Sequence, residues 1–398
     1  MTVTLDEVCV AIVDCEHRTA PIDPEGVHFA VGTPAMRGNR IDLAQARRIS
    51  RETYLAWTQR LAPSPGDLLL AREAPVGPVV MIPESPPVAP GQRTVLLRTN
   101  PHHLHARFAF YLLTSPAQQS RLMQQAEGST VPHLNVADVR LFELPALPTL
   151  EEQRAIAATL GALDDKIESN RRIASLTLDL AEALFLESCM QGSDLLPLRD
   201  AGTWLSGGTP STSSPDFWDG ELPWISAASL KDFFIWNSER RLTTAGEDAA
   251  TNIVPEGTLL MVVRGMSLKT EFRFGVAQRR VAFGQDCKAI IPRIPSSMLA
   301  LGLRASQRNV LDLVDEAGHG TGRLSTDLLA EHEIEIPVDT SVTRRLDALL
   351  SRGAVAKTES NQLASLRDAL LPELLTGRIR AAEASTEVRS ALSRGETA

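Results

Sequence analysis

The 398-residue sequence predicts an α+β protein in which two mixed α/β domains alternate with two long helices, as a pseudo-two-fold internal repeat. Three observations carry this: a self-match at nearly one long offset, short apolar runs punctuated by Gly and Pro, and a capped amphipathic stretch of about 40 residues. The self-match aligns PGDLLLAR (65–72) with PEGTLLMVVR (255–264), setting Gly66 on Gly257. Glu168-Ser169-Asn170 recurs as Glu359-Ser360-Asn361, and Ala174-Ser175-Leu176 as Ala364-Ser365-Leu366. Matches in one order at nearly one offset imply a duplication, and a unit half the chain long excludes a solenoid.

The mixed domains span residues 1–147 and 197–337. Their runs GDLLLAR, VGPVVMIPE, GTLLMVV and KAIIPRI, bounded by turn residues, read as strands. Asn100-Pro101 offers a cap and a first-turn proline, so a helix is expected through HHLHARFAFYLLTS, with His102, His103 and His105 on its first turn. The helical regions span 148–196 and 338–380. Thr149 with Glu152 forms a capping box, and Ile156, Leu160, Leu163 and Ile167 follow 4-3-4 spacing. Ile173, Leu176, Leu180 and Leu184 continue a stripe that slips near Asn170. Such a helix is on the order of 60 Å long. The second helical region carries Leu363, Leu366, Leu370 and Leu374, should be interrupted at Gly353, and should stop at Gly377. Each narrow stripe needs a partner, and the other copy is the natural one. The tail, 381–398, is expected to be disordered.

Composition limits the function. No apolar run reaches the ~18 residues of a membrane span, and the acidic N-terminus does not read as a secretion signal, so a cytoplasmic protein without membrane contact is expected. Cys9, Cys15, Cys189 and Cys287 form no CxxC pair, which suits reduced structural thiols. No HExxH, GxSxG, GxGxxG or Walker loop occurs in a strand–helix context, and the three clustered histidines lack partners for a metal. No catalytic constellation emerges. PDFWDGEL (215–222) supplies carboxylates but no following lysine, which disfavours a nuclease. Asp164 and Asp165 are expected on a solvated helix face.

Acidic side chains (49) outnumber basic ones (40), for a net charge of -9, which argues against a protein that coats DNA indiscriminately. The imbalance is local. Residues 148–196 hold 4 basic and 9 acidic groups, whereas residues 37–60 and 264–280 are each net +4. Arginine dominates both windows, and its planar fork suits guanine edges and phosphates.

The motifs DCEHRTAP (14–21), RGNRIDLAQARRIS (37–50), ETYLAWTQR (52–60), GDLLLARE (66–73), GSTVPHLN (128–135) and LPTLEEQRAIAATLGALDDKIESNRR (147–172) resemble the specificity (S) subunit of Type I restriction-modification systems. So do GGTPSTSSPDFWDGELPWIS (207–226), FGQDCKAI (283–290) and LRDALLPELLTGRI (366–379), in the same order along nearly the whole chain. The resemblance implies two target-recognition domains, each reading half of a bipartite target on double-stranded DNA. It also implies an antiparallel coiled coil of the two helices, which sets the spacer. Methyltransferase (M) subunits would dock there, and restriction (R) subunits through them. The chain itself would do no chemistry and bind no cofactor; AdoMet, ATP and Mg²⁺ would be used by the partners. The first domain lacks GGTPS, so the two recognition domains would be of different subtypes.

Candidate DNA contacts, taken from basic and loop-like positions, are Arg37, Asn39, Arg40, Arg72, Lys231, Arg264, Lys269 and Arg273. A bidentate contact from Arg264 to guanine would be worth about 1–3 kcal/mol at a single base position. The helix-pairing and partner interface is expected at Leu160, Leu163, Ile167, Ile173, Leu176, Leu180, Leu363, Leu366 and Leu370. Two other readings are the same module in another methyltransferase-based phage-defence system, and a helical scaffold that binds no DNA.

Overall fold

The computed structural model describes residues 2–128, 132–250, 252–317 and 321–394. The chain forms two compact units, Met1–Lys166 with Leu363–Ala398, and Ile167–Gln362. In the first, a four-stranded antiparallel sheet runs in the order Cys9–Asp14, Thr94–Thr99, Leu68–Arg72, Val76–Met81. Leu68, Leu69, Leu70 and Ala71 are all fully buried, because this strand is covered on both faces. That is why it reads as a continuous apolar run and not as an alternation. Leu69 and Ala71 join Val80 and Leu96 in one core cluster with Val31 and Met36.

The second unit repeats this plan. Gly202–Ser206, Cys287–Pro292, Leu259–Val262 and Phe274–Ala277 lie in the same order, with Phe234–Ile235 added in parallel at the edge. Gly66 and Gly257, matched by the repeat, both take left-handed φ angles (89° and 83°) in the turn that enters the central strand. The duplication seen in the sequence is therefore a duplication of one sheet.

Leu150–Gln191 is one helix. Its capping box forms as expected: the Thr149 amide donates to Glu152 Oε2 (3.0 Å) and the Glu152 amide to Thr149 Oγ1 (3.3 Å). Thr343–Leu375 is a second helix. Within the second unit the two run antiparallel, since Ser360 Oγ donates to Ile167 O while Gly353 lies against Thr177, farther along one helix and earlier along the other. The second helix ends in a Schellman turn: Gly377 (φ 70°) donates to Leu374 O and Arg378 to Glu373 O.

Several expectations are corrected. The seam does not slip at Asn170. The 4-3 spacing continues from Ile167 through Asn170, Ala174, Thr177 and Ala181; Asn170 is 1% exposed and Thr177 is buried. Their polar groups are satisfied inside the pair, Asn170 Nδ2 donating to Glu359 Oε2 (2.6 Å) and Thr177 Oγ1 to Ile173 O (2.8 Å). Leu176 (67%) and Leu180 (51%) instead face outward, and Ile173 is only half-buried. Leu160, Leu163, Ile167, Leu363 and Leu370 are buried, with Leu366 half-buried beside them. Gly353 does not interrupt its helix. A Cβ there would meet Thr177 Oγ1 at 2.7 Å and Phe234 Cζ at 2.8 Å, so the glycine permits a close approach.

The tail is not disordered as far as residue 394. Ala381–Arg394 is a helix that buries Ala384 and Val388, and residues 395–398 lie outside the described set. The helix after Asn100 starts late, at Ala106, because Asn100 closes a separate turn: its carbonyl accepts from His103 and Leu104, and its Oδ1 from His102. Of the four cysteines, burial pushes the Cys9 and Cys287 thiols up to about 12 and Cys189 up to about 11.

Asp165 lies on an exposed face as expected, but Asp164 is largely covered. Asp164 accepts from Tyr111 Oη (2.6 Å) and from Arg367 (2.7 Å), and Asp165 from Arg107 (2.5 Å), which also donates to Gly161 O. The acidic helix face of the first unit thus anchors its mixed domain.

Candidate nucleic-acid interface

In the first unit RGNR folds as a tight hairpin. Met36–Arg37 pairs with Arg40–Ile41, Arg37 lies directly across from Arg40, and Gly38 and Asn39 both have positive φ (56° and 58°). Two such residues make a type I′ turn, and Asn tolerates that conformation better than other side-chain-bearing residues. Asn39 is therefore explained by the turn, and the hairpin presents Arg37 to solvent, its Nε donating to Pro34 O (3.2 Å).

Arg72 behaves differently. Its side chain is only 12% exposed; Nε sits 3.3 Å from Asp14 Oδ1, and NH1 donates to Leu134 O. His17 closes the cluster, its Nε2 2.9 Å from Asp14 Oδ2 and its Nδ1 3.4 Å from Arg72 NH2. Arg72, expected at the DNA, is instead tied to the DCEHR segment through Asp14 and His17. Next to it, Arg93 pairs with Glu73 at 3.3 Å, and Arg18 stacks 4.5 Å above the Trp57 ring. Within GSTVPHLN, residues 129–131 lie outside the described set; the His133 backbone forms isolated β-bridges with those of Glu73 and Glu127.

The second unit sorts its basic window sharply. Arg273 is paired with Glu271, Arg280 with Glu247 (3.1 Å), and Arg279 lies 5.7 Å above the Trp236 ring. Lys269, exposed, ends the 3-10 turn Met266–Lys269. Lys231 lies in a small recess with Asp232, Trp236 and Asn361, beside the Lys357–Asp232 ion pair (2.9 Å), and not with Arg264. Arg264 is exposed on the short strand Arg264–Gly265, directly across from Arg323 on Thr321–Leu324. These two arginines line a recess of about 340 Å³ with Gln285, Asp286, Lys288 and Thr326.

Arg323, Gln285 and Asp286 were missed by the charge windows. Arg323 stands alone in sequence, and Gln285-Asp286 lies in a motif with no net positive charge; only strand pairing brings them to Arg264. A counterpart to the Arg37–Arg40 hairpin could have been sought through the repeat, but the second pair joins strands some 60 residues apart in sequence.

Among the described residues no group of three or more His, Cys, Asp or Glu side chains is arranged to hold a metal, and no helix is long and apolar enough to cross a membrane.

Comparison with known proteins agrees with this architecture. Residues 45–177 match the family described as Type I restriction modification DNA specificity domain. A type I restriction enzyme specificity subunit of Escherichia coli is 27% identical over 146 residues, 35% of this chain and 36% of that protein. One from Methanocaldococcus jannaschii is 33% identical over 75 residues, 18% of this chain and 17% of that protein. The matched stretches thus span about a third or less of these relatives' length. The fold as a whole matches the crystal structure of a Type-I restriction-modification system S subunit from M. genitalium, with a TM-score of 0.61 and 18% identity, covering 94% of this chain and 96% of that one. With two copies of one sheet, a long helix after each and a match to the DNA specificity domain over residues 45–177, the chain is similar to the specificity (S) subunits of type I restriction-modification systems.

Proposed function

We propose that this chain selects the DNA sequence for a type I restriction-modification complex, each mixed domain reading one half of a bipartite target. The observation that carries the reading is a pair of cross-strand arginines in each unit, Arg37 with Arg40 and Arg264 with Arg323, each on a short antiparallel ladder beside a copy of the same sheet. Ladders of this kind fix a guanidinium more rigidly than a loop does, and rigid placement is what base readout requires.

In this reading the two helices set the spacer and dock the methyltransferase subunits. The outward-facing Leu176 and Leu180, together with Met190 (89% exposed), offer apolar surface for such a partner. The chain itself is non-catalytic and cytoplasmic. The methyltransferase subunits supply AdoMet chemistry, and restriction subunits use ATP and Mg²⁺. The acidic total then has a place, because part of it is paired with arginines of the same chain, Arg107 and Arg367.

The test is to co-express the chain with its cognate methyltransferase subunit and sequence the host methylome. A two-part methylated motif that disappears when this chain is deleted is the expected result. An unchanged methylome refutes the reading.

A further inference from the structure

Arg264 and Arg323 are an awkward pair for stability alone. The Leu324 amide donates to Val263 O (2.9 Å), one position along the ladder. This places Arg264 and Arg323 at the closely spaced, non-hydrogen-bonded position, where Cα atoms lie about 4.5 Å apart. Both side chains are exposed, and neither makes an ion pair among the described residues, although Asp315 stands opposite Arg323 on the next strand. Like charges set across from each other destabilise a sheet. The ladder is nevertheless held firmly: Gly322 is buried so closely against the preceding 3-10 turn that a Cβ would meet Leu268 Cβ at 2.8 Å. A rigid, unneutralised pair of guanidiniums suits an acceptor-rich ligand.

The rest of the recess indicates which one. Asp286 lines it, fixed in place because its carbonyl accepts from the Val263 amide (2.9 Å). Lys288 is drawn off by a hydrogen bond from its Nζ to Ser206 Oγ (2.6 Å). A phosphate site would gather donors and exclude a carboxylate. The major-groove edge of a G·C pair asks for both: guanine offers the O6 and N7 acceptors, and cytosine the N4 donor. Two guanidiniums beside one carboxylate are the complement of that edge.

We infer that Arg264, Arg323 and Asp286 read a G·C base pair in the half-site bound by the second recognition domain. The inference rests on the proposed function, and the experiment separates the two. The complex of this chain with its methyltransferase subunits is assayed for methyl transfer on duplexes in which each pair of the methylome-defined motif is replaced in turn. Arg264→Ala and Arg323→Ala should each cut discrimination at one and the same G·C pair by about 10-fold or more, leaving the other half-site unchanged. Arg264→Lys separates the two kinds of contact: a base reader loses discrimination with lysine although the charge remains, whereas a phosphate contact recovers. Uniform weakening rescued by lysine, an effect centred on an A·T pair, or unaltered base preference in both alanine variants would overturn the reader while leaving the motif intact. No chain-dependent motif at all would overturn the proposed function, and the reader with it.

Discussion

Asp164 is a hub whose removal should be felt in the mixed domain that packs on it. Its Oδ2 accepts from the phenol of Tyr111, a residue 2% exposed, and its Oδ1 from Arg367. Asp164→Ala strips both bonds and leaves a buried phenol and a largely covered guanidinium without that acceptor. Orphaning a buried donor costs about 1–3 kcal/mol. Arg367 keeps a second acceptor in Asp368 at 2.7 Å, which holds its share at the low end. The expected loss is about 2–4 kcal/mol for alanine and about half that for Asp164→Asn, which keeps the shape and one acceptor oxygen but loses the charge. Hydrogen exchange of the amides in Ala106–Thr114 reads the local effect, and urea denaturation the global one. A double-mutant cycle with Tyr111→Phe should give a coupling of about 1–2 kcal/mol. If the alanine variant exchanges within about 0.5 kcal/mol of wild type and the cycle is additive, the carboxylate is a solvated surface group and the hub does not exist.

The same contact has a pH signature. Burial first, and then the neighbouring Asp164, raise the Tyr111 pKa well above its ordinary value of about 10, so the folded state holds that proton more tightly than the unfolded chain. Stability from this group is therefore intact below pH ~10 and lost as pH rises further; alkaline denaturation should be shallower in Tyr111→Phe than in wild type, and identical profiles would count against it. Gly353→Ala tests the close approach between the helices. Helix propensity alone would stabilise by about 1 kcal/mol, but the added Cβ lands against Thr177 and Phe234, and overpacking costs about 1–3 kcal/mol. Net destabilisation by up to about 2 kcal/mol is expected in urea melts; a more stable variant would show that the glycine is a helix defect after all.

Periodicity and polarity proved unequal guides along the helices. Following apolar residues led to the exposed Leu176 and Leu180, whereas the unbroken 4-3 count from Ile167 leads to the buried Asn170, Thr177 and Ala181, with Ala174 half-buried between them. A coiled coil admits a polar seam residue when the partner supplies a bond, and Glu359 supplies it. The spacing was readable in the chain, but the partner was not. The same holds for charge. Windowed counts found Arg37, Arg40 and Arg264, yet could not show that Arg72 and Arg273 are bound to carboxylates, nor that Lys231 sits in another recess.

What the sequence determined by itself is the plan: a duplicated sheet, two capped helices, and motifs along the chain that resemble one family. These follow from local signals and their recurrence, since caps, turns and apolar runs are properties of neighbouring residues and a repeat is the same local signals met twice. Tertiary structure alone decided which side chains meet. Arg264 faces Arg323 and Asp286, and Asp164 faces Tyr111 and Arg367, across separations of up to about 200 residues. Whether a charge is spent within the protein or offered to a ligand depends on its distance to a counter-charge through space, and strand pairing and helix packing set that distance.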